Sequence, residues 1–225
     1  MDLELHQLHV LITGGSKGIG LACAHAFLAE GAHVTLVARN PQTLEEARTQ
    51  LLQAHPHAQI GTCSADLTVP TQALAALEEA EHLRGPVDVL VNSAGAARRT
   101  PLAELTPQAW HDAMQAKFFS YIHMITPTIQ RMAARRKGVV VNVIGQGGKV
   151  ASPIHLPGGS ANAALMLATA GLAAGYADQG VRVNAVNPGL TATDRLYEGF
   201  RAESKVNGLS MEEQLAKAQA RQPMK

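Results

Sequence analysis

Short runs of β-branched residues alternate with longer stretches of helical spacing, and this alternation constrains the fold more than any other feature. HVLITG, HVTLVAR, VDVLVNSAG, GVVVNVIG and VRVNAVNPG read as strands covered on both faces; QIGTCSAD is a weaker sixth run. Between them lie GIGLACAHAFLAEG, PQTLEEARTQLLQA, PTQALAALEEAEHL, a fourth helical stretch TPQAWHDAMQAKFFSYIHMITPTIQRMAAR, and a fifth, SANAALMLATAGLAAGYADQG. Several close on glycine, a common helix stop. Parallel neighbours need a long crossover, and these helices supply it. The expected fold class is therefore α/β, a doubly wound parallel sheet with helices on both faces. No linker or repeat interrupts the pattern, so residues 1–225 read as a single domain.

Composition excludes several classes of function. The formal net charge is +1, too small for a field that gathers nucleic acid or an anionic membrane. The longest apolar stretch, AALMLATAGLAAGYA, is too short and too rich in Ala and Gly to span a bilayer. Ten histidines are scattered without paired carboxylates or cysteines, so no metal is expected. Cys23 and Cys63 lack redox or metal spacing and read as buried, reduced thiols. The opening MDLELHQLHVLITGG is acidic and runs straight into a strand, unlike a secretory leader. A cytoplasmic location is expected.

ITGGSKGIG follows the first strand and opens the first helix. Gly14 permits the turn, Gly18 lets a pyrophosphate approach backbone N–H groups, and Gly20 allows close packing of helix on strand. In this strand–turn–helix setting the glycines predict a Rossmann-type dinucleotide site. A site for NAD places an acid at the end of the second strand to take the ribose 2′-OH. Here that strand ends Ala38-Arg39, and Lys17 sits in the glycine loop. Two cations without a carboxylate suit a 2′-phosphate, so the expected cofactor is NADP(H).

TGGSKGIG, CSADLT, NSAG (residues 92 to 95) and VRVNAVNPG, in this order and spacing, resemble the short-chain dehydrogenase/reductase family from about Leu8 to Asp194. The resemblance implies an oxidoreductase acting on a small carbonyl or alcohol substrate. It assigns Ser16 and Ile19 to the phosphate loop, and Asp66 and Leu67 to the adenine. Asn92, Ala94 and Gly95 would lie beside the adenine ribose, and Pro188, Gly189, Thr191 and Thr193 beside the nicotinamide.

The family's catalytic set is missing. A Ser, a Tyr, a Lys four residues after it and an Asn on the preceding long helix are expected. The corresponding residues are Gly145, Gly158, Asn162 and Lys117. Asn and Lys stand exchanged between two helices. Lys117 is out of place between Ala116 and Phe118 on a helix that should pack on the sheet, and Tyr121 shares its face. His155, just before Gly158, has the right chemistry for proton transfer near neutrality. The candidate catalytic residues are therefore Lys117, His155 and Asn162, with Gln146 and Ser160 as further polar neighbours. Gly145, Gly158 and Gly159 read as space for a larger or differently posed ligand. Arg98 and Arg99 follow the NSAG loop and read either as solvated charges or as a lure for an anionic substrate.

The fifth helix is small and apolar nearly all round, which predicts a second buried face and a homodimer or homotetramer through the fourth and fifth helices. Residues 190–225 read as a lid or substrate-loop region, with SMEEQLAKAQAR a helix N-capped by Ser210. The family's last helix and strand would follow QPMK. An NADP(H)-dependent oxidoreductase with an atypical active site is the expected function. A catalytically silent NADP(H)-binding sensor or assembly protein is the alternative, and a lyase or isomerase on this scaffold a third reading.

Overall fold

The computed structural model describes residues 2–95 and 97–220. Its strands are β1 (His9–Thr13), β2 (His33–Ala38), β3 (Ile60–Ser64), β4 (Val89–Asn92), β5 (Gly138–Val143) and β6 (Val181–Val186). Its helices are α1 (Gly18–Ala29), α2 (Pro41–Ala54), α3 (Pro70–Arg84), α4 (Pro107–Ala113), α5 (Ser120–Ala134), α6 (Leu156–Tyr176), α7 (Asp194–Asn207) and α8 (Met211–Ala220). The six strands form one parallel sheet in the order β3-β2-β1-β4-β5-β6. Chain order reverses between β1 and β4, the switch point at which such sheets bind ligands. No helix among the described residues is long and apolar enough to cross a membrane.

The sheet is buried on both faces because its strands alternate between two cores. Val10 and Ile12 of β1 join Leu36, Leu44 and Leu51 on one side. Leu11 joins Leu77, Leu90, Met124 and Ile125 on the other. Each fully buried Leu or Ile contributes about 1.5–3 kcal/mol. Local signals set the ends. Asn40 caps α2 by accepting from the backbone N–H of Gln42 at 2.8 Å and of Thr43 at 3.3 Å, with Pro41 opening the helix. Cys63 is buried in the core and its thiol is pushed up to about 12, chiefly by desolvation; Cys23 is only half-buried, contrary to expectation.

Two further expectations need correction. The fourth helical stretch is not a regular α-helix: a π-helical turn, Met114–Phe119, separates α4 from α5. β6 is not covered on both faces: Val181 and Val183 are buried, but Arg182, Asn184 and Val186 are exposed. Among the described residues β6 is a sheet edge, which explains the open face.

A buried polar chain ties the centre of the sheet together. Thr13 Oγ1 donates to Asn92 Oδ1 at 3.3 Å, Asn92 Nδ2 to Asn142 Oδ1 at 3.0 Å, and Asn142 Nδ2 to Thr169 Oγ1 at 2.9 Å. Replacing Asn142 by leucine removes the middle link and leaves the Asn92 amide without its acceptor. The expected cost is about 2 kcal/mol or more, read as a lowered urea midpoint at unchanged slope.

Chain contacts divide the protein into two compact units, Met1–Asn187 and Pro188–Lys225. The second holds α7 and α8. Ser210 and Glu213 form the expected capping box: the Ser210 N–H donates to Glu213 Oε2 at 2.8 Å, and the Glu213 N–H to Ser210 Oγ at 3.2 Å. The Ser210 groups hold the Glu213 carboxyl below its usual range.

Candidate active site

The loop between β1 and α1 is built for close backbone approach. Gly14 has φ +65°, and a Cβ there would lie 2.8 Å from Ala94 Cα. A Cβ on Gly20 would collide with the Gly14 carbonyl oxygen. The Gly14 N–H is anchored on Val37 O at 2.8 Å. α1 starts at Gly18, and Lys17 before it offers no side-chain cap, which leaves the first N–H groups of the helix for another acceptor. This cradle suits a pyrophosphate. Lys17 and Arg39 are both exposed at its rim, and the end of β2 carries no carboxylate.

Asp66 and Leu67 follow β3. The N–H of Thr68 at 2.9 Å and its hydroxyl at 2.7 Å bind Asp66 Oδ1 and hold that carboxyl below its usual range, with Arg39 adding a smaller pull. Leu67 is buried, and its carbonyl contacts His123 Nδ1 at 2.9 Å. In the next loop the Asn92 side chain turns into the sheet. It is fully buried in the polar chain, while the N–H groups of Ser93 and Ala94 donate to Thr13 Oγ1 at 3.1 and 3.2 Å. Asn92 orders the loop from within. Gly95 has φ +90°, and a Cβ there would run into Ala116 O on the π turn.

That π turn carries Lys117 into the core. The side chain is buried; Nζ donates to Tyr121 Oη at 2.8 Å and to Val143 O at 3.1 Å, and lies 4.5 Å from the Tyr121 ring centroid. Tyr121 is fully buried and donates its own hydroxyl to Val143 O at 2.6 Å. The Lys117 amine is thus fixed at the end of β5, one residue short of Ile144 and two short of Gly145. A buried charge is costly unless its protons are bonded, and these contacts offset that cost.

Asn162 approaches the same strand end from α6. It is buried, and its Nδ2 lies 3.3 Å from where a Cβ on Gly145 would stand and 3.5 Å from the same point on Gly147. Gly145 has φ +125°, so the serine expected there would be strained on this backbone. His155 is the N-terminal flanking residue of α6, which begins at Leu156, earlier than the spacing predicts. Its ring fills the space a side chain at Gly158 would enter: a Cβ there would meet Nε2 at 2.5 Å and Ala97 Cβ at 2.8 Å. His155 Cδ2 lies 3.5 Å from the corresponding point on Gly147. The imidazole therefore stands where the family's tyrosine would begin.

Lys117, Asn162 and His155 converge on residues 143–147 from three directions. Ser160 is exposed on the outer side of α6, and Gln146 is exposed in the short turn after β5. Pro188, Gly189, Thr191 and Thr193 belong to the second unit, where Thr193 Oγ1 donates to Thr191 O at 3.4 Å. Sequence reading did not find the Val143 carbonyl as the shared acceptor of Lys117 and Tyr121, because backbone acceptors carry no side-chain signature. Nor did it place Ala97 against Gly158; the pair is distant in sequence and joined only by the fold.

Comparison with known proteins gives the family and the fold. The family model for short chain dehydrogenases matches residues 8–203. The chain is 30% identical over 208 residues to the uncharacterized oxidoreductase YvrD of Bacillus subtilis (strain 168), covering 92% of this chain and 78% of that protein. It superposes on actinorhodin polyketide ketoreductase, crystallised with NADPH, with TM-score 0.91 at 27% identity over 96% of this chain and 83% of that one. It also superposes on an NADPH-bound short chain oxidoreductase of Pseudomonas aeruginosa PAO1 described as containing an atypical catalytic center. The TM-score is 0.82 at 31% identity, over 88% of this chain and 78% of that one. The chain belongs to the short-chain dehydrogenase family.

Proposed function

We propose that this protein is an NADP(H)-dependent oxidoreductase that interconverts a carbonyl and an alcohol at an atypical active site. The observation that carries the reading is the His155 imidazole over Gly158, in the place of the family's tyrosine. The NADPH-bound relatives support the cofactor. The Gly14–Gly20 loop, with Ser16, Gly18 and Ile19, holds the pyrophosphate at the start of α1. Lys17 and Arg39 take the 2′-phosphate, Asp66 and Leu67 the adenine, and Asn92, Ala94 and Gly95 lie beside the ribose. Pro188, Gly189, Thr191 and Thr193 are assigned to the nicotinamide end, and residues 190–225 to the substrate loop, on the family resemblance.

When bound, the dinucleotide supplies hydride exchange with the substrate carbon. The protein's own part is the proton. His155 exchanges it with the substrate oxygen, since imidazoles titrate near neutrality. Asn162 orients that oxygen or a water beside it. Lys117, held by Val143 O and Tyr121 Oη, supplies fixed positive charge where negative charge develops.

Titration of the purified protein with NADPH and NADH, followed by fluorescence, tests the cofactor. NADPH is expected to bind about tenfold tighter or more, and Arg39→Ala to bring the two within a few-fold. Ketones, quinones and 3-oxoacyl thioesters are then added. Oxidation of NADPH by one class supports the reading; tight binding with no oxidation by any of them favours the silent binder.

The helices also support self-association. Ala163, Leu167, Ala170 and Ala174 of α6 line an exposed apolar face, with Leu167 76% exposed. A homodimer or homotetramer through α5 and α6 would cover it, and light scattering at a monomeric mass would exclude that assembly.

A further inference from the structure

Two chain segments near His155 carry basic side chains and no acidic ones. No Asp or Glu occurs between Val89 and Ala103 or between Ala113 and Ala177, although acids and bases nearly balance in the whole chain, 18 against 19. These two segments supply the loop after β4, the π turn, the loop after β5 and the start of α6. Two of their cations, Arg98 and Lys149, follow closely in sequence on residues that face the imidazole. Ala97 touches the space that His155 and Gly158 share, and Arg98, the next residue, is exposed. The Thr100 N–H donates to Ile154 O at 2.9 Å, which ties this loop to the residue before His155. On the other side Gly147 faces both His155 and Asn162, and Lys149, two residues on, is also exposed. Among the described residues neither the Arg98 nor the Lys149 side chain has an ion-pair or hydrogen-bond partner. Lys117, buried on the π turn, belongs to the same acid-free segment.

We propose that Arg98 and Lys149 form an anion-binding rim beside His155, and that the substrate is a carbonyl compound carrying a negative charge. The proposal rests on the oxidoreductase reading for the identity of the reacting group, but the rim itself does not. A carboxylate on the substrate would meet the Arg98 guanidinium and the Lys149 ammonium while its carbonyl oxygen meets His155. Two charge-assisted contacts raise affinity about tenfold or more over a neutral isostere. The anion is either the substrate's own carboxylate or the phosphates of a carrier thioester, and the probes separate these.

The test is equilibrium binding by calorimetry to the intact protein, with and without NADPH. The probes are 2-, 3- and 4-oxo carboxylates, their methyl esters, and acetoacetyl-coenzyme A. Turnover is recorded in parallel and reports on the oxidoreductase reading alone. The expected result is that one charged probe binds about tenfold tighter or more than its neutral ester. The preference falls toward unity in Arg98→Ala and Lys149→Ala and weakens as salt rises. Both residues are exposed, so neither change threatens folding. A free oxo acid as the preferred probe places the charge on the substrate, and the thioester places it on a carrier. Esters that bind as well as acids, a preference that survives both substitutions, or no binding by any charged probe would overturn the proposal, whether or not NADPH is oxidised.

Discussion

Replacing Lys117 by methionine is expected to lower turnover by about 10²- to 10⁴-fold while leaving NADPH affinity within a few-fold. The two quantities separate because the Lys117 side chain is held by Tyr121 and Val143, neither of them a residue of the glycine loop after β1. Stability gives a second readout. Methionine nearly conserves volume and removes a buried charge, a change that is often neutral or stabilising. Tyr121 still donates to Val143 O, so that carbonyl keeps a partner. A lysine kept for folding would show the reverse pattern, a lowered urea midpoint with turnover intact. Measuring kcat, NADPH affinity and the midpoint on one preparation distinguishes the two roles.

The second large effect is on the cofactor cradle. Gly20→Ala places a Cβ against the Gly14 carbonyl oxygen and 2.8 Å from its carbon. The obstacle is backbone, so the loop or α1 must shift. Overpacking of this kind costs about 1–3 kcal/mol. The same shift moves the N–H groups that face the pyrophosphate, so NADPH affinity is expected to fall about tenfold or more. Thermal unfolding and fluorescence titration check the two parts. Unchanged NADPH binding would mean that this turn does not hold the phosphates.

The α/β class, the order of elements and the glycine cradle were legible because each has a local signature. The β-branched runs alternate with helical spacing, and Asn40-Pro41 and Ser210 mark helix starts in the sequence itself. The π turn was not legible. It inserts its extra residue without breaking the apolar spacing of the fourth helical stretch, and it becomes visible only through Gly95, which packs on Ala116 O. The open face of β6 was missed although VRVNAV carries it, since Arg182 and Asn184 alternate with the buried Val181 and Val183. α7 was read as part of a loop region, its NPGLTATD entry drawing attention away from the helix that follows.

At the site, sequence picked out Lys117 as a charge on an apolar face and His155 as a neighbour of Gly158. It did not show that the imidazole fills the glycine's vacant side-chain space, since that relation depends on the turn before α6. The inward turn of the Asn92 amide to Thr13 and Asn142 was likewise not legible, because it depends on tertiary packing.

The most direct test of the central claim follows deuterium from NADPH labelled at the nicotinamide C4 into an alcohol product, by mass spectrometry, in the wild-type protein and in His155→Gln. The account predicts label in the product of one carbonyl class. It also predicts that His155→Gln, with the cofactor still bound, loses about 10²-fold or more in rate. Label transfer at an unchanged rate in the variant would remove His155 from the proton path. Tight NADPH binding with no label in any product would contradict the account and leave a silent binder on a dehydrogenase scaffold.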